Sequence, residues 1–303
     1  MANFKAAMLA VDFSFLIVIL LFFVLICVTY FMNKWLSATA ASHYWLNLMI
    51  SCLVVGGVVL PIEIANFFEG AKDDPGNNLL PKWVCGLQQY MITFASSTVI
   101  ISLLGHAIDQ VSLVFYNRKS NRHLGHLLCL LVAALWAVGA AVIYNQSHRT
   151  GVDTTVFTLC YPKDQDKADA LRIYRWIEVG WILLFAGLIL ICDLVLAANR
   201  SKFESGIPAY DHEESQAARD NRYMWMASLW QVVAFVICQL PMMFYLLLWI
   251  VEGKTASMKT FKGLQLLAFL NWILIPVGLL ALQPDLRRRL GKKTTGVGGV
   301  NPY

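Results

Sequence analysis

An uncharged run of sequence, CGLQQYMITFASSTVIISLLGHAI, opens on a thiol, Cys85, and leads directly to a carboxylate, Asp109. A thiol can close a disulfide, and a carboxylate can hold or release a cation. Other acids stand in equally apolar surroundings: Glu63, Glu178 and Asp193. Ionisable groups in such surroundings are costly, so a functional role is their default reading. Glu63 and Glu178 lie near the ends of their apolar segments, where reaching water is the alternative. Asp193 has Arg200 two turns away, or a neighbouring helix, as its plain structural partner. Catalytic chemistry finds no support. There is no HExxH pair, no spacing of nucleophile and base, and no metal-ligating cluster, so no catalytic residue, metal or cofactor is expected.

The elements that must position these groups follow from composition. The chain has 303 residues, of which 58% are hydrophobic and only 14% charged, with a mean hydropathy of +0.59. A soluble domain of this length cannot bury so much apolar surface, and lipid is the better solvent. A helical span needs about 20 apolar residues. Runs of that length cover roughly 13–32, 44–67, 86–115, 125–145, 174–198, 224–250 and 262–282. The expectation is an all-α membrane protein, one seven-span domain over 1–303, with the first run a retained signal-anchor. An odd number of spans puts the termini on opposite sides. The basic segment LRRRLGKK at 286–293 follows the last span directly, and NRKSNRH is short and basic, whereas outer basic residues alternate with acids as in PKDQDKAD. This pattern places the N-terminus outside and the C-terminus inside. Of seven cysteines, Cys27, Cys52, Cys129, Cys192 and Cys238 fall within spans, while Cys85 and Cys160 face outward. These two form either a disulfide or a pair of free thiols. The sequon NQS makes Asn145 a glycosylation candidate on the same side.

The arrangement resembles rhodopsin-like (class A) G-protein-coupled receptors along nearly the whole chain. In that family a cysteine opens span 3 and the acid of an Asp-Arg-Tyr motif follows 24 residues later, the separation of Cys85 and Asp109. Span 2 reads LNLMISCLVVGGVVLP and ends on Pro61. Span 4 carries Trp136. Span 6 reads FVICQLP, keeping Phe235, Cys238 and Pro241 of the family's FxxCWxP. Span 7 continues as NWILIPVGLLALQPDLRRRL, keeping Asn271, Pro276, Asp285, Arg287 and Arg288. The resemblance implies a short amphipathic helix at 284–291 after the last span. The departures concentrate at switch positions. Gln110 and Val111 replace the arginine and tyrosine beside Asp109, Cys52 replaces the span 2 aspartate, and Gln239 replaces the span 6 tryptophan. Ile275 and Leu279 replace the asparagine and tyrosine of span 7, Phe22–Phe23 stands for the span 1 Gly-Asn, and span 5 lacks its proline.

The resemblance further implies a Cys85–Cys160 bridge over a ligand cavity. It implies a plasma-membrane location, an unknown small-molecule or peptide ligand, and a heterotrimeric G protein as inner partner. Membrane lipid is the surrounding partner and nucleic acid is not one. Gln89, Ile92, Thr93 and Ser96 share one helical face, which the family turns toward the ligand. Further pocket candidates are Glu63, Glu178, Gln239, Tyr245, Gln265 and Phe269. Amine receptors carry an aspartate where Ile92 stands, and opsins a lysine where Phe269 stands, so the expected ligand is apolar or neutral-polar. Asp109, Gln110, Phe235, Pro241, Asn271 and Pro276 occupy switch or coupling positions. With no arginine at 110, the candidates to neutralise Asp109 are His106 one turn back and Arg118 or Arg122 in the following loop, against an acid simply solvated at the interface. Cys52, Asn271 and Ser102 would form a neutral version of the midplane polar cluster. The alternative function is a non-signalling relative: a scaffold, decoy or dimer partner. A transporter using Glu63, Asp109 and Asp193 would require inverted repeats that the sequence lacks.

Overall fold

The computed structural model describes residues 2–33, 40–69, 82–116, 122–147, 169–199, 212–252 and 258–282. The segment 284–291, Cys160 and Arg118 lie outside them. Every described segment is helical, and no strand occurs among the described residues. In hydrocarbon each backbone N–H and C=O must be satisfied within its own segment, which the α-helix achieves. The elements are α1 (Ala2–Asn33), α2 (Ala40–Val54), a π-helical turn (Val55–Val59), α3 (Leu60–Glu69), α4 (Lys82–Tyr116), α5 (Arg122–Ser147), α6 (Asp169–Ala198), α7 (His212–Glu252) and α8 (Met258–Leu282). Among the described residues, six helical segments are long and apolar enough to cross a membrane. The apolar part of α1 whose side chains are described, Leu9–Phe22, is shorter.

The π turn joins α2 and α3 into one span, and its cause is local. Pro61 has no N–H to offer the carbonyl four residues back. The Leu60 amide bonds instead to the Val55 carbonyl five residues back, across the pair Gly56–Gly57. Such turns insert a residue and rotate everything beyond them. Here they precede Glu63, a fully buried acid.

α4 lies at the centre, packed against α2, the π turn, α5, α6 and α7. Its apolar side chains Ala95, Val99, Ile100, Leu103 and Ala107 join one core with Leu48, Val59, Ile182, Phe235, Trp272 and Ile275. α5 meets α4 through small residues, Ala133 and Ala137 being fully buried, and small side chains let helices approach closely in lipid. The other face of α5 leaves Leu124, Leu127, Leu128, Leu131 and Leu135 exposed. Their spacing of three and four residues marks a lipid-facing stripe. Trp136 packs on Tyr174 and Trp181 of α6, with ring centroids 5.3 and 5.4 Å away.

Candidate functional site

Two polar seams cross the bundle. The first joins α2, α4 and α5 at the end of the bundle that carries Asp109. Asn47 on α2 donates through Nδ2 to Ser102 Oγ on α4 at 3.0 Å and to the His126 carbonyl on α5 at 3.1 Å. One turn nearer the helix ends, the Tyr44 hydroxyl of α2 donates to Asp109 Oδ2 of α4 at 2.8 Å. Tyr44 is buried, and its ring lies 6.0 Å from that of His106, tilted by 53°. Space for the ring comes from two glycines. A Cβ at Gly105 would stand 2.8 Å from Tyr44 Cε1, and one at Gly125 would stand 2.6 Å from its hydroxyl oxygen. Asp109, half-buried, therefore has a tyrosine donor on α2. His106 is placed against the ring of that tyrosine, and Arg118 and the Arg122 side chain are outside the described residues.

The second seam joins α7 to α8, with help from α2, and its acceptors are backbone carbonyls. Gln231 Nε2 donates to the Leu274 and Ile275 carbonyls at 3.2 and 3.0 Å. Gln239 Nε2 donates to the Ala268 carbonyl at 3.1 Å. Gln239 stands two residues before Pro241, whose missing N–H frees a carbonyl in its own helix, yet its amide reaches across to α8. Pro276 likewise deprives the Trp272 carbonyl of its usual amide donor, and the Cys52 thiol donates to that carbonyl at 3.5 Å. Gly278 keeps the contact close, since a Cβ there would strike the Trp230 indole.

The expected ligand set is buried on four helices. Gln89, Thr93 and Ser96 of α4 are buried and Ile92 half-buried; Glu178 of α6, Gln239 of α7, and Gln265 and Phe269 of α8 are buried. Hydrogen bonds tie members of this set across helices. Gln239 reaches the residue before Phe269, and Gln265 Nε2 donates to Glu63 Oε1 of α3 at 2.5 Å. Of the switch positions, Gln110, Phe235, Asn271 and Pro276 are buried and Pro241 half-buried. The midplane cluster expected from Cys52, Asn271 and Ser102 is not joined by hydrogen bonds. Cys52 turns to Trp272, Ser102 to Asn47, and the fully buried Asn271 amide has no hydrogen-bond partner among the described residues. Cys52, Cys129, Cys192 and Cys238 are free thiols. The Cys85 side chain falls outside the described ones, as does that of Asn145 in the last turns of α5.

Sequence reasoning missed Tyr44, Gly125 and Gln231. A tyrosine opening a span reads as an interfacial anchor, and a glutamine that bonds backbone leaves no partner in the sequence. The available signal was Gly105, one turn before Asp109 and therefore on the same helical face.

No curated protein matches the chain. The family model for the 7 transmembrane receptor (rhodopsin family) matches residues 22–277, from within α1 to the residue after Pro276. That match takes in both seams and most of the chain, and the protein belongs to the rhodopsin family of seven-transmembrane receptors.

Proposed function

We propose that this receptor sits in the plasma membrane with its N-terminus extracellular and its C-terminus cytoplasmic. It takes a small-molecule or peptide ligand of apolar or neutral-polar character between α4, α7 and α8, and acts on a heterotrimeric G protein at the Asp109 end. Its family is one of receptors, and the chain is a multi-pass membrane protein and not an enzyme. The observation that carries the ligand reading is the bond from Gln239 to the Ala268 carbonyl. It ties α7, the helix that contains Pro241, to α8 beside Phe269, so a ligand touching Gln239 and Phe269 acts on both helices at once. A ligand shifts a conformational equilibrium only through contacts that differ between the states, and helices tied in this way carry such a shift as one body. Gln89, Ile92, Thr93 and Ser96 give α4 a face of amides and hydroxyls among apolar neighbours, the mixture that orients a small ligand. Glu178 and Gln265 complete the polar complement.

The test is a cell assay of basal and ligand-evoked G-protein activation for the wild type and Gln239→Leu. A neutral or apolar compound should act, with its half-maximal concentration raised about tenfold in the variant, the scale of one lost hydrogen bond. Activity confined to cationic amines and indifferent to Gln239 would contradict the reading. The Cys85–Cys160 bridge belongs to the same proposal, and its loop of about 75 residues should contribute a few kcal/mol. Either Cys→Ser change should lower surface expression, and mass mapping that found both thiols free would remove the bridge.

A further inference from the structure

We infer that Tyr44 is the restraint on the Asp109 end of the bundle, a phenol latch where relatives use an acid–arginine pair. Three observations converge on it. The hydroxyl meets a carboxylate at 2.8 Å, a bond of the stronger, charge-assisted kind. The ring is buried in a slot that exists because Gly105 on α4 and Gly125 on α5 carry no side chains. Gln110, at the place of the missing arginine, is uncharged and cannot form an ion pair with Asp109. Three helices thus meet at one side chain, and α4 cannot slide or turn against α2 and α5 at this end without drawing Asp109 off the hydroxyl. The latch joins side chain to side chain, so one rotamer change at Asp109 breaks it while leaving every helical hydrogen bond in place. A two-state element that opens the end of a bundle needs that property. Release of Tyr44 opens the Asp109 end, and the closed latch holds basal activation low, a part of the inference that rests on the proposed signalling role.

The molecule carries its own reporter. Cys129 Sγ lines the same slot, 3.1 Å from where a Cβ at Gly105 would stand, and donates to the Ile101 carbonyl at 3.7 Å. Cys238, buried on α7, is the internal reference. The full chain in lipid nanodiscs is treated with N-ethylmaleimide, and modification of each cysteine is followed by mass mapping. Tyr44→Phe and Gly125→Ala should each speed alkylation of Cys129 about tenfold, the scale set by one hydrogen bond to a charged group, and leave Cys238 unchanged. An unchanged rate at Cys129, or an equal rise at Cys238, would overturn the latch. G-protein activation is measured on the same variants. A faster Cys129 reaction with raised basal activation supports the latch and the receptor reading together. A faster reaction with no coupling in any variant supports the latch and counts against the signalling role.

Discussion

The α2–α4–α5 junction and the α7–α8 seam are both polar, both buried and both seated on glycine, yet they are fastened in different ways. At the junction the bond that closes the end runs from a hydroxyl to a carboxylate, and both partners are side chains. Along the seam, Gln231, Gln239 and Cys52 end on backbone carbonyls of α8. A backbone carbonyl cannot rotate away or change its charge, and it retains its place in the helix when the side chain leaves. A carboxylate side chain can rotate away from its donor. The seam therefore makes α7 and α8 move together, and the junction is where the bundle can open. The family's motif sets an arginine beside the acid. Here, with Gln110 in that place, the freedom lies in a tyrosine from another helix.

The comparison can be broken most forcefully at the slot. Gly105→Leu would drive a branched side chain into the Tyr44 ring and expel it, combining overpacking with loss of the Asp109 bond. A destabilisation of about 3 kcal/mol or more is expected, read as a lowered Tm of the detergent-solubilised chain. A Tm close to wild type would mean that the ring has room the structure does not show. Tyr44→Phe isolates the bond from the packing. It removes one hydroxyl from a charged acceptor and should cost about 1.5–3 kcal/mol while keeping the ring in place.

Gln231→Leu tests the other side. The Leu274 and Ile275 carbonyls remain opposite their own helical amides, so about 1 kcal/mol should be lost, with no change in Cys129 reactivity. A loss equal to that of Tyr44→Phe would erase the distinction between the two regions. Cys52→Ala should have the smallest effect, well under about 1 kcal/mol, because a thiol is a weak donor. A larger effect, followed by thermal unfolding, would make the carbonyl released by Pro276 a principal point of attachment.

How much of this was legible depended on where each partner sits. The membrane helices were readable because lipid forces long apolar runs into helices, and Cys85, Asp109 and Pro276 kept the family's register. The π turn was harder to see. Gly56–Gly57 and Pro61 are its cause, yet a proline in a span is equally compatible with a simple kink. The polar seams were hardest. Asn47–Ser102 and Tyr44–Asp109 join residues 55 and 65 positions apart, and a single sequence carries no record of such pairing. Gln239 was read as a pocket residue, and its nearness to Pro241 offered the carbonyl freed in its own helix as the plain alternative. The structure sends it to α8, because a long amide side chain on an inward face reaches a neighbour as easily as its own backbone. Tyr44 was overlooked because its position, the start of a span, is also that of an ordinary interfacial anchor.

The central claim is that Tyr44 and Asp109 act as one unit, and a double-mutant cycle measures that directly. Tyr44→Phe, Asp109→Ala and the double variant are compared with wild type by thermal unfolding in the same lipid. If the latch holds, the double variant is less destabilised than the sum of the two singles by about 1–2 kcal/mol, inside the span of about 0.5–3 kcal/mol for residues in direct contact. Additivity to within about 0.5 kcal/mol would show the two side chains to be independent and would contradict the account.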